Sequence, residues 1–320
     1  MISKDVYKAA DLLRSGEVVG IPTETVYGLA ANIYSEKAIR KVFEIKQRPL
    51  DNPLIVHVAS IDQMENLTKD VPEKAYKLAG AFWPGPLTLL LPKSIDVPGL
   101  VTSGKPNVAI RMPGLGLTRE LIANAGVPIA APSANPFGRI SPTTAEHVAQ
   151  YFPKELAMVL DGGPCRSGIE STIIGFDGDE PVVYRLGSLS LDEIEVKVGK
   201  VQLRNQKEVA PDAPGMLSRH YSPKTPTFLC DDIATELEKH SDKKVGIIVL
   251  QNKLEHDELI QKVLSSKGDL KEAAKHLYAT MHELDQAGLD VILIERMPET
   301  GLGISINDRL QRAAQGAMNA

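Results

Sequence analysis

Lys46-Gln47-Arg48-Pro49 and Pro132-Ser133-Ala134-Asn135-Pro136 are the two short segments that say most about the fold and its chemistry. In each, a proline favours extended backbone at the preceding residue, Arg48 or Asn135, so that residues two apart project to the same side. We therefore expect the lysine beside Arg48, and Ser133 beside Asn135. Ammonium and guanidinium groups bind phosphate oxygens through charge-assisted hydrogen bonds, so this set suits a triphosphate. Taken alone, each segment fits a simple helix end or turn better than a phosphate site.

Apolar periodicity predicts mixed helices and strands over the first two thirds of the chain. We predict helices near 3–15, 35–46 (with Ser35 as N-cap), 72–82, 117–125 and 143–151, and strands near 18–21, 54–58, 87–91, 107–112 and 127–131. Residues 171–174 and 182–185 flank Asp177-Gly178-Asp179 and predict a hairpin. Helices and strands do not alternate strictly, which indicates an α/β fold with a twisted, mixed sheet.

After residue 204 the apolar periodicity weakens, and a second α/β pattern begins after residue 224. Residues 205–224 contain Pro211, Pro214, Gly215 and Pro223 with little apolar periodicity, and we predict a linker or lid there. Apolar runs at 245–250 and 291–294, with helices predicted at 259–263 and 273–284, indicate parallel strands with crossover helices. The prediction is a first domain at 1–204, a linker at 205–224 and a small Rossmann-like domain at 225–320.

Further motifs follow one another in a specific order. They are Pro22-Thr23-Glu24-Thr25-Val26-Tyr27-Gly28-Leu29, the extension of the first segment to His57, Val108-Ala109-Ile110-Arg111-Met112-Pro113, Glu170-Ser171-Thr172-Ile173, Pro214-Gly215-Met216 and Arg219-His220-Tyr221-Ser222-Pro223. In this order and spacing they closely resemble the two-domain threonylcarbamoyl-AMP synthases, whose first domain has the YrdC-like fold. The resemblance extends to Asn307-Asp308-Arg309 near the C-terminus. One departure is Ser218, where relatives commonly carry a tyrosine.

The resemblance implies an enzyme, an L-threonylcarbamoyladenylate synthase of the nucleotidyltransferase class. Such enzymes condense L-threonine, bicarbonate or CO2, and ATP to threonylcarbamoyl-AMP and pyrophosphate, for the threonylcarbamoyl-adenosine modification of tRNA. The implied companions are Mg²⁺ with the triphosphate and a downstream tRNA threonylcarbamoyl transferase machinery, with a weak RNA contact as a further expectation. No protein nucleophile is needed for this chemistry.

Residue roles follow from the resemblance and from side-chain chemistry. Arg111 stands at the end of an apolar strand without an obvious local carboxylate partner. Its guanidinium is therefore the candidate to bind the threonine carboxylate in a bidentate manner. His57 is expected in the threonine pocket or, equally, in the core. The full assignment is catalytic Lys46, Arg48, Ser133 and Asn135; ATP-binding Arg48, Asn52, Asn107, Ser133, Ser141, Arg185, His220 and Tyr221; threonine-binding Thr25, His57, Arg111, Ala131 and Ser171.

Charge and missing motifs exclude other classes. The net charge is −5, and residues 225–320 hold 11 Lys and Arg against 16 Asp and Glu, which argues against a nucleic-acid groove in that part. The sequence lacks a P-loop, a dinucleotide fingerprint, a nucleophile elbow and metal-ligand histidine spacing, and His282 is expected on the surface. An RNA-binding module and a carbamoyl-transfer enzyme with another acceptor stay as alternatives. No apolar run reaches membrane-span length, and the expected location is the cytoplasm.

Overall fold

The computed structural model describes residues 1–205, 220–256 and 258–314, which form two α/β units. In this part of the chain the first unit has a mixed sheet of eleven strands and the second has a parallel sheet of four. The α/β class with a mixed first sheet and a Rossmann-like second unit is confirmed. Most of the predicted linker, including Ser218, lies outside the described residues. Within them, no helix combines the length and apolar character needed to cross a membrane.

The first unit contains every helix and strand predicted for it, and six further elements that were not predicted, at 2–3, 28–32, 61–67, 158–160, 191–198 and 202–203. Its strands are β1 (Ile2–Ser3), β2 (Val19–Ile21), β3 (Gly28–Asn32), β4 (Ile55–His57), β5 (Leu87–Pro92), β6 (Asn107–Arg111), β7 (Ile129–Ala130), β8 (Met158–Leu160), β9 (Thr172–Asp177), β10 (Glu180–Arg185) and β11 (Gln202–Leu203). Its helices are α1 (Val6–Arg14), α2 (Glu36–Lys46), α3 (Ile61–Leu67), α4 (Glu73–Phe82), α5 (Gly116–Ala125), α6 (Ala145–Tyr151) and α7 (Leu191–Val198). The predicted hairpin is the antiparallel pair β9 and β10.

The strand order brings distant motifs to one region of the sheet. That order is β1-β8-β2-β3-β7-β4-β6-β5-β9-β10-β11. β4 and β6 run parallel, and their last residues, His57 and Arg111, are register partners. Side chains at paired positions of neighbouring strands point to the same face, so these two residues lie side by side where their strands end.

The second unit contains β12 (Thr227–Cys230), α8 (Ile233–Glu238), β13 (Val245–Val249), β14 (Ile260–Val263), α9 (Leu270–Asp285), β15 (Val291–Glu295) and α10 (Leu302–Ala314). Its strand order is β12-β15-β13-β14. The helix predicted at 259–263 is wrong, because these residues form the edge strand β14 parallel to β13. So short an apolar run does not distinguish a helix from a strand by periodicity, and pairing with β13 decides the outcome.

Helix α2 begins and ends at sequence-specified residues. The Ser35 hydroxyl accepts a hydrogen bond from the Ala38 amide, as predicted for an N-cap. At the other end Gln47 adopts a left-handed conformation with φ of 54°. Lys46 ends the helix as predicted, but extended backbone does not place it beside Arg48, because a helical C-cap turn separates the two cations.

The two units pack against each other through loops of the first and helices of the second. Gly168 lies against α9, where a Cβ atom on it would be 2.4 Å from the Ala274 carbonyl oxygen. His282 of α9 is buried, contrary to its expected surface position, and its ring stacks on His147 of α6 at 4.0 Å between centroids. On the other side of the contact, Ser222 donates to the Ala313 carbonyl at 3.2 Å.

Replacing Gly168 with alanine tests this packing. Gly168 has φ of +75° and no room for a Cβ, whereas Gly163 has φ of +76° with nothing within 4 Å of the added atom. Gly163→Ala should lower the free energy of unfolding only by the cost of placing alanine in a left-handed conformation, about 1–2 kcal/mol. Gly168→Ala should lose clearly more free energy of unfolding in urea titrations. Equal losses in the two variants would contradict the close contact with α9.

Candidate active site

A cavity lies where loops from the strand ends of the first unit meet residues 220 and 221. Its walls bring together residues from ten separate places in the chain, namely Thr23, Thr25, Val26, Tyr27, Gly28, Arg48, Ile55, His57, Arg111, Ala131, Pro132, Ser133, Glu170, Ser171, Arg185, His220 and Tyr221. The free space is about 50 Å³, far below the roughly 300–1,000 Å³ of common ligand pockets. With His220 and Tyr221 in the wall, the cavity is too small for a nucleotide.

Arg48 and Arg185 form one cationic side of the cavity. Arg48 Nη2 donates to Asn52 Oδ1 at 2.5 Å and to the Pro53 carbonyl at 2.9 Å, so Asn52 fixes the guanidinium. Arg185 donates to the carbonyl and the hydroxyl of Ser171 at 2.9 and 3.0 Å. Burial and the neighbouring Arg185 lower the pKa of Arg48 to about 9. Two buried arginines that repel each other form a site suited to a polyanion.

Lys46 lies behind this wall rather than in it. Its Nζ atom donates to the carbonyl oxygens of Ser133 and Asn135, both at 2.6 Å. Burial, followed by repulsion from Arg48, lowers its pKa. The structure thus links the two polar segments through Lys46, which holds the loop that carries Ser133 against the cavity.

Ser133 and Asn135 have different surroundings. Ser133 pairs with Gly28 in an isolated β-bridge and lines the cavity. The Asn135 side chain turns back to its own loop, donating to the carbonyls of Pro136 and Arg139 at 2.9 Å. Its buried Oδ1 atom has no hydrogen-bond partner among the described residues.

Arg111, Thr25 and His57 form a second group of residues in the cavity wall. Arg111 donates from Nη1 to the Thr25 hydroxyl at 2.8 Å and from Nε to the Gly85 carbonyl at 3.2 Å. No carboxylate partner is evident near Arg111 in the sequence, but in the fold Glu24 Oε1 lies 2.6 Å from its Nη2. Sequence reasoning missed Glu24 since the loop after β2 reaches Arg111 only in the folded sheet.

His57 is a neutral, buried imidazole. Burial, followed by repulsion from Arg111, lowers its pKa to about 3. Its Nδ1 atom has no hydrogen-bond partner among the described residues. The imidazole lines the cavity and can offer one donor or one acceptor to a ligand.

Glu170 joins the cavity to the second unit. Its carboxylate accepts from Ser141 Oγ at 2.7 Å, from the Tyr278 hydroxyl at 3.1 Å and from Arg309 Nε at 3.2 Å. Ser141 is thereby directed at Glu170, and it does not line the cavity. The sequence analysis gave no role to Glu170 or Arg309, although both stand in motifs it quoted.

His220 and Tyr221 close the cavity from the linker side. Tyr221 has φ of 64°, a conformation that few non-glycine residues adopt. Its ring stacks on Tyr278 at 5.7 Å and lies 5.6 Å from the Arg309 guanidinium carbon. Burial and four nearby cations, Lys46, Arg48, Arg185 and Arg312, hold the pKa of His220 well below its usual value.

Buried charge is strongly unbalanced in this region. Six cationic side chains are buried in the described ranges, against the single carboxylate of Glu170: Lys46, Arg48, Arg111, Arg185, Arg309 and Arg312. Glu24 and Asp308 add two partly covered carboxylates, with 12% and 15% of their side chains exposed. Within the same ranges no cluster of three or more metal-ligating side chains occurs. The site is built to receive negative charge.

The structure brings together most of the residues that the sequence assigned. Those in the cavity wall are Thr25, Arg48, His57, Arg111, Ala131, Ser133, Ser171, Arg185, His220 and Tyr221. Those outside it are Lys46, Asn52, Asn107, Asn135 and Ser141. Lys46, Asn52 and Ser141 support wall residues. Asn107 begins β6 at the end opposite Arg111, roughly 13 Å away by strand rise, and does not line the cavity.

Comparison with known proteins covers both units. A family model described as "Telomere recombination" matches residues 11–187, and one described as "Threonylcarbamoyl-AMP synthase, C-terminal domain" matches residues 189–315. A threonylcarbamoyl-AMP synthase of Pyrococcus abyssi is 42% identical over 321 residues, covering 96% of this chain and 93% of that protein. The Bacillus subtilis threonylcarbamoyl-AMP synthase is 41% identical over 323 residues, covering 97% and 93%.

A solved structure extends the similarity to three dimensions. The crystal structure of P. abyssi Sua5 complexed with L-threonine superposes with a TM-score of 0.91 at 41% sequence identity. The superposition covers 98% of this chain and 94% of that one. Both units and their relative placement are therefore shared with that protein.

Buried neutral histidines predict how stability changes with pH. Burial lowers the pKa of both His57 and His282 to about 3, whereas unfolded histidine titrates near 6.5. Below about pH 6.5 these histidines are protonated in the unfolded chain but stay neutral in the folded chain. The free energy of unfolding should therefore fall as pH falls, by about 1.4 kcal/mol per pH unit for each such histidine. Above that pH the two histidines should contribute no pH dependence.

Urea titrations of variants between about pH 6.5 and 5 measure the contribution of each buried histidine to the pH dependence of the free energy of unfolding. His282→Gln should reduce the slope by one histidine's share, while the same change at exposed His256 serves as the control and should leave it unaltered. An unchanged slope in His282→Gln would contradict the neutral, buried state of this ring.

Proposed function

The chain belongs to the threonylcarbamoyl-AMP synthase family, and from this premise we propose that it condenses L-threonine, bicarbonate or CO2, and ATP to threonylcarbamoyl-AMP and pyrophosphate. The observation that carries the proposal is a single cavity walled by Arg48, Arg111 and Arg185, with Glu170 as its one acidic wall residue among those described. Arg48 and Arg185 suit the phosphates. Arg111, which lies beside Thr25 and His57, suits an amino-acid carboxylate.

The proposed chemistry needs no nucleophile from the protein. The threonine amine attacks CO2, and an oxygen of the resulting carbamate attacks the α-phosphorus of ATP while pyrophosphate leaves. The protein contributes by holding the reactants together and by placing fixed positive charge where phosphate charge develops. A covered cavity also excludes water from the mixed anhydride product.

At the phosphate side, Arg48 and Arg185 bind the triphosphate, and Ser133 donates a hydrogen bond to it or to the carbamate. Lys46 supports the Ser133 loop through its two carbonyl contacts, and Asn52 orients Arg48. Nζ of Lys46 has three N–H groups, of which two are used, so the third can reach a phosphate when the loop moves. Asn135 offers its unpartnered Oδ1 atom as an acceptor.

At the amino-acid side, Arg111 grips the threonine carboxylate. Thr25 and Ser171 supply hydroxyl groups there, and Ala131 supplies a small apolar wall. Neutral His57 offers a hydrogen bond without adding charge, which suits the threonine hydroxyl. A pocket that pairs with this hydroxyl rejects valine, because its own polar groups would then stay unpaired.

Mg²⁺ enters this scheme as part of the nucleotide substrate. The cavity wall carries the Glu170 carboxylate, which already accepts from Ser141, Tyr278 and Arg309. These residues do not form a metal cage, and the ion is therefore held by triphosphate oxygens and water, as is common for Mg²⁺. We further propose that the product passes, in the cytoplasm, to the tRNA threonylcarbamoyl transferase machinery, with at most a weak contact to RNA.

Pyrophosphate release tests the proposed function. Release should require ATP, bicarbonate and L-threonine together, and valine or serine in place of threonine should give clearly lower rates. Pyrophosphate release that is independent of bicarbonate would contradict the proposal.

Alanine substitutions at Arg48 and Lys46 test the two proposed roles, phosphate contact by Arg48 and support of the Ser133 loop by Lys46. Arg48→Ala removes a charge-assisted contact of about 1.5–3 kcal/mol, so kcat/KM for ATP should fall roughly ten- to hundredfold. Lys46→Ala should fall as far, because the loop of Ser133 loses its anchor. Exposed Arg40 on the same helix provides the control, and Arg40→Ala should keep wild-type kinetics. Wild-type rates in both cavity variants, with unchanged circular dichroism, would leave only the helix-end role for the pair.

Removal of the closing residues should slow turnover. His220→Ala combined with Tyr221→Ala opens the cavity, and we expect at least about a tenfold loss in ATP-dependent turnover, roughly 1.4 kcal/mol. The fragment 1–204 should stay folded, bind threonine and show the same loss. A folded fragment that matches full-length turnover would reduce residues 205–224 to a tether.

A further inference from the structure

Among the residues that the structure describes, Glu24 is the one charged group that pairs with Arg111, and the proposed reaction gives it no role. Its Oε1 atom lies 2.6 Å from Arg111 Nη2, and 12% of its side chain is exposed. Arg111 and Thr25 line the cavity, whereas Glu24 does not. The carboxylate therefore meets the guanidinium from outside the space that a ligand would fill.

Three groups fix the Arg111 guanidinium from three directions. Nε donates to the Gly85 carbonyl, Nη1 donates to the Thr25 hydroxyl, and Nη2 contacts Glu24. The Nη2 contact with Glu24 is an ion pair without hydrogen-bond geometry, so of the five N–H groups of the guanidinium three have no hydrogen-bond partner among the described residues. A carboxylate uses two N–H groups in a bidentate grip, and such a grip depends on the orientation of the fork.

The backbone around Glu24 is arranged to keep the carboxylate in place. The Ser167 amide donates to the Glu24 carbonyl at 2.7 Å, which ties the loop after β2 to the loop before β9. Gly114 leaves room for the side chain, since a Cβ atom there would lie 3.2 Å from Glu24 Oε1. The neighbouring Thr23 hydroxyl closes the turn by donating to the Val26 carbonyl at 2.6 Å.

We propose that Glu24 is a positioning residue for amino-acid recognition, which orients the Arg111 fork through the ion pair so that N–H groups not used by Gly85 and Thr25 face the substrate carboxylate. The inference rests on the proposed function and deepens it. The proposal also predicts the direction in which threonine affinity changes when Glu24 is removed. Coulomb attraction alone would predict stronger binding, because a negative group beside an anion site is lost. If Glu24 orients Arg111, its removal should weaken binding instead.

The test is steady-state kinetics of Glu24→Ala and the isosteric Glu24→Gln. In Glu24→Ala the KM for threonine should rise at least about tenfold, while kcat at saturating threonine and the KM for ATP change less than about twofold. Glu24→Gln should show a smaller rise, because its amide oxygen can still contact Arg111. Glu17 makes a similar 2.6 Å ion pair with Lys41 on the partly exposed surface, so Glu17→Gln is the matched control and should leave the threonine KM unchanged.

A double-mutant cycle shows whether Glu24 acts through Arg111. Arg111→Lys should itself weaken threonine binding, because a point charge cannot replace the fork. In that background Glu24→Ala should add less than about a twofold change. A lower or unchanged threonine KM in Glu24→Gln, or fully additive effects in the cycle, would overturn the inference. If the wild-type protein binds ATP but not threonine, both the proposed function and this inference are wrong. If threonine binding is unchanged by substitution of Glu24, only this inference is wrong.

Discussion

Buried positive charge is the constraint on which the rest of the structure depends. Six cations and one carboxylate are buried in the described residues, and most of these charges border one cavity. Burying unpaired charge is costly, and burial, followed by repulsion from neighbouring cations, lowers the pKa of Lys46, Arg48 and His220. A bound polyanion relieves that repulsion, so ligand binding and fold stability should be coupled in this chain.

The second unit completes the site rather than standing apart from it. Glu170 borders the cavity and accepts from Tyr278 and Arg309, which belong to α9 and α10. The same arginine and tyrosine pack on Tyr221, which closes the cavity in a left-handed conformation. A strained backbone persists only where its surroundings hold it, and here those surroundings come from the second unit.

Local sequence predicted the parts of the structure that local physics decides. The α2 N-cap at Ser35, the β9–β10 hairpin and the mixed first sheet follow from capping, turn chemistry and periodicity. The edge strand β14 was missed because a run of that length has no decisive period. The turn at Gln47 was missed because Pro49 restricts only the residue before it. The contacts Thr25–Arg111 and Glu170–Arg309 span 86 and 139 residues, and no local pattern encodes pairings that sheet order and domain packing create.

The carbon that links the amino acid to the nucleotide offers the most direct measurement of this account. Incubation with ATP, L-threonine and ¹³C-bicarbonate, followed by mass spectrometry of the adenylate product, reports whether carbonate carbon is incorporated. The account predicts a threonylcarbamoyl-AMP that is heavier by the label, with the amine joined to phosphate through the labelled carbamate. An unlabelled adenylate, formed by direct activation of the threonine carboxylate, would contradict it.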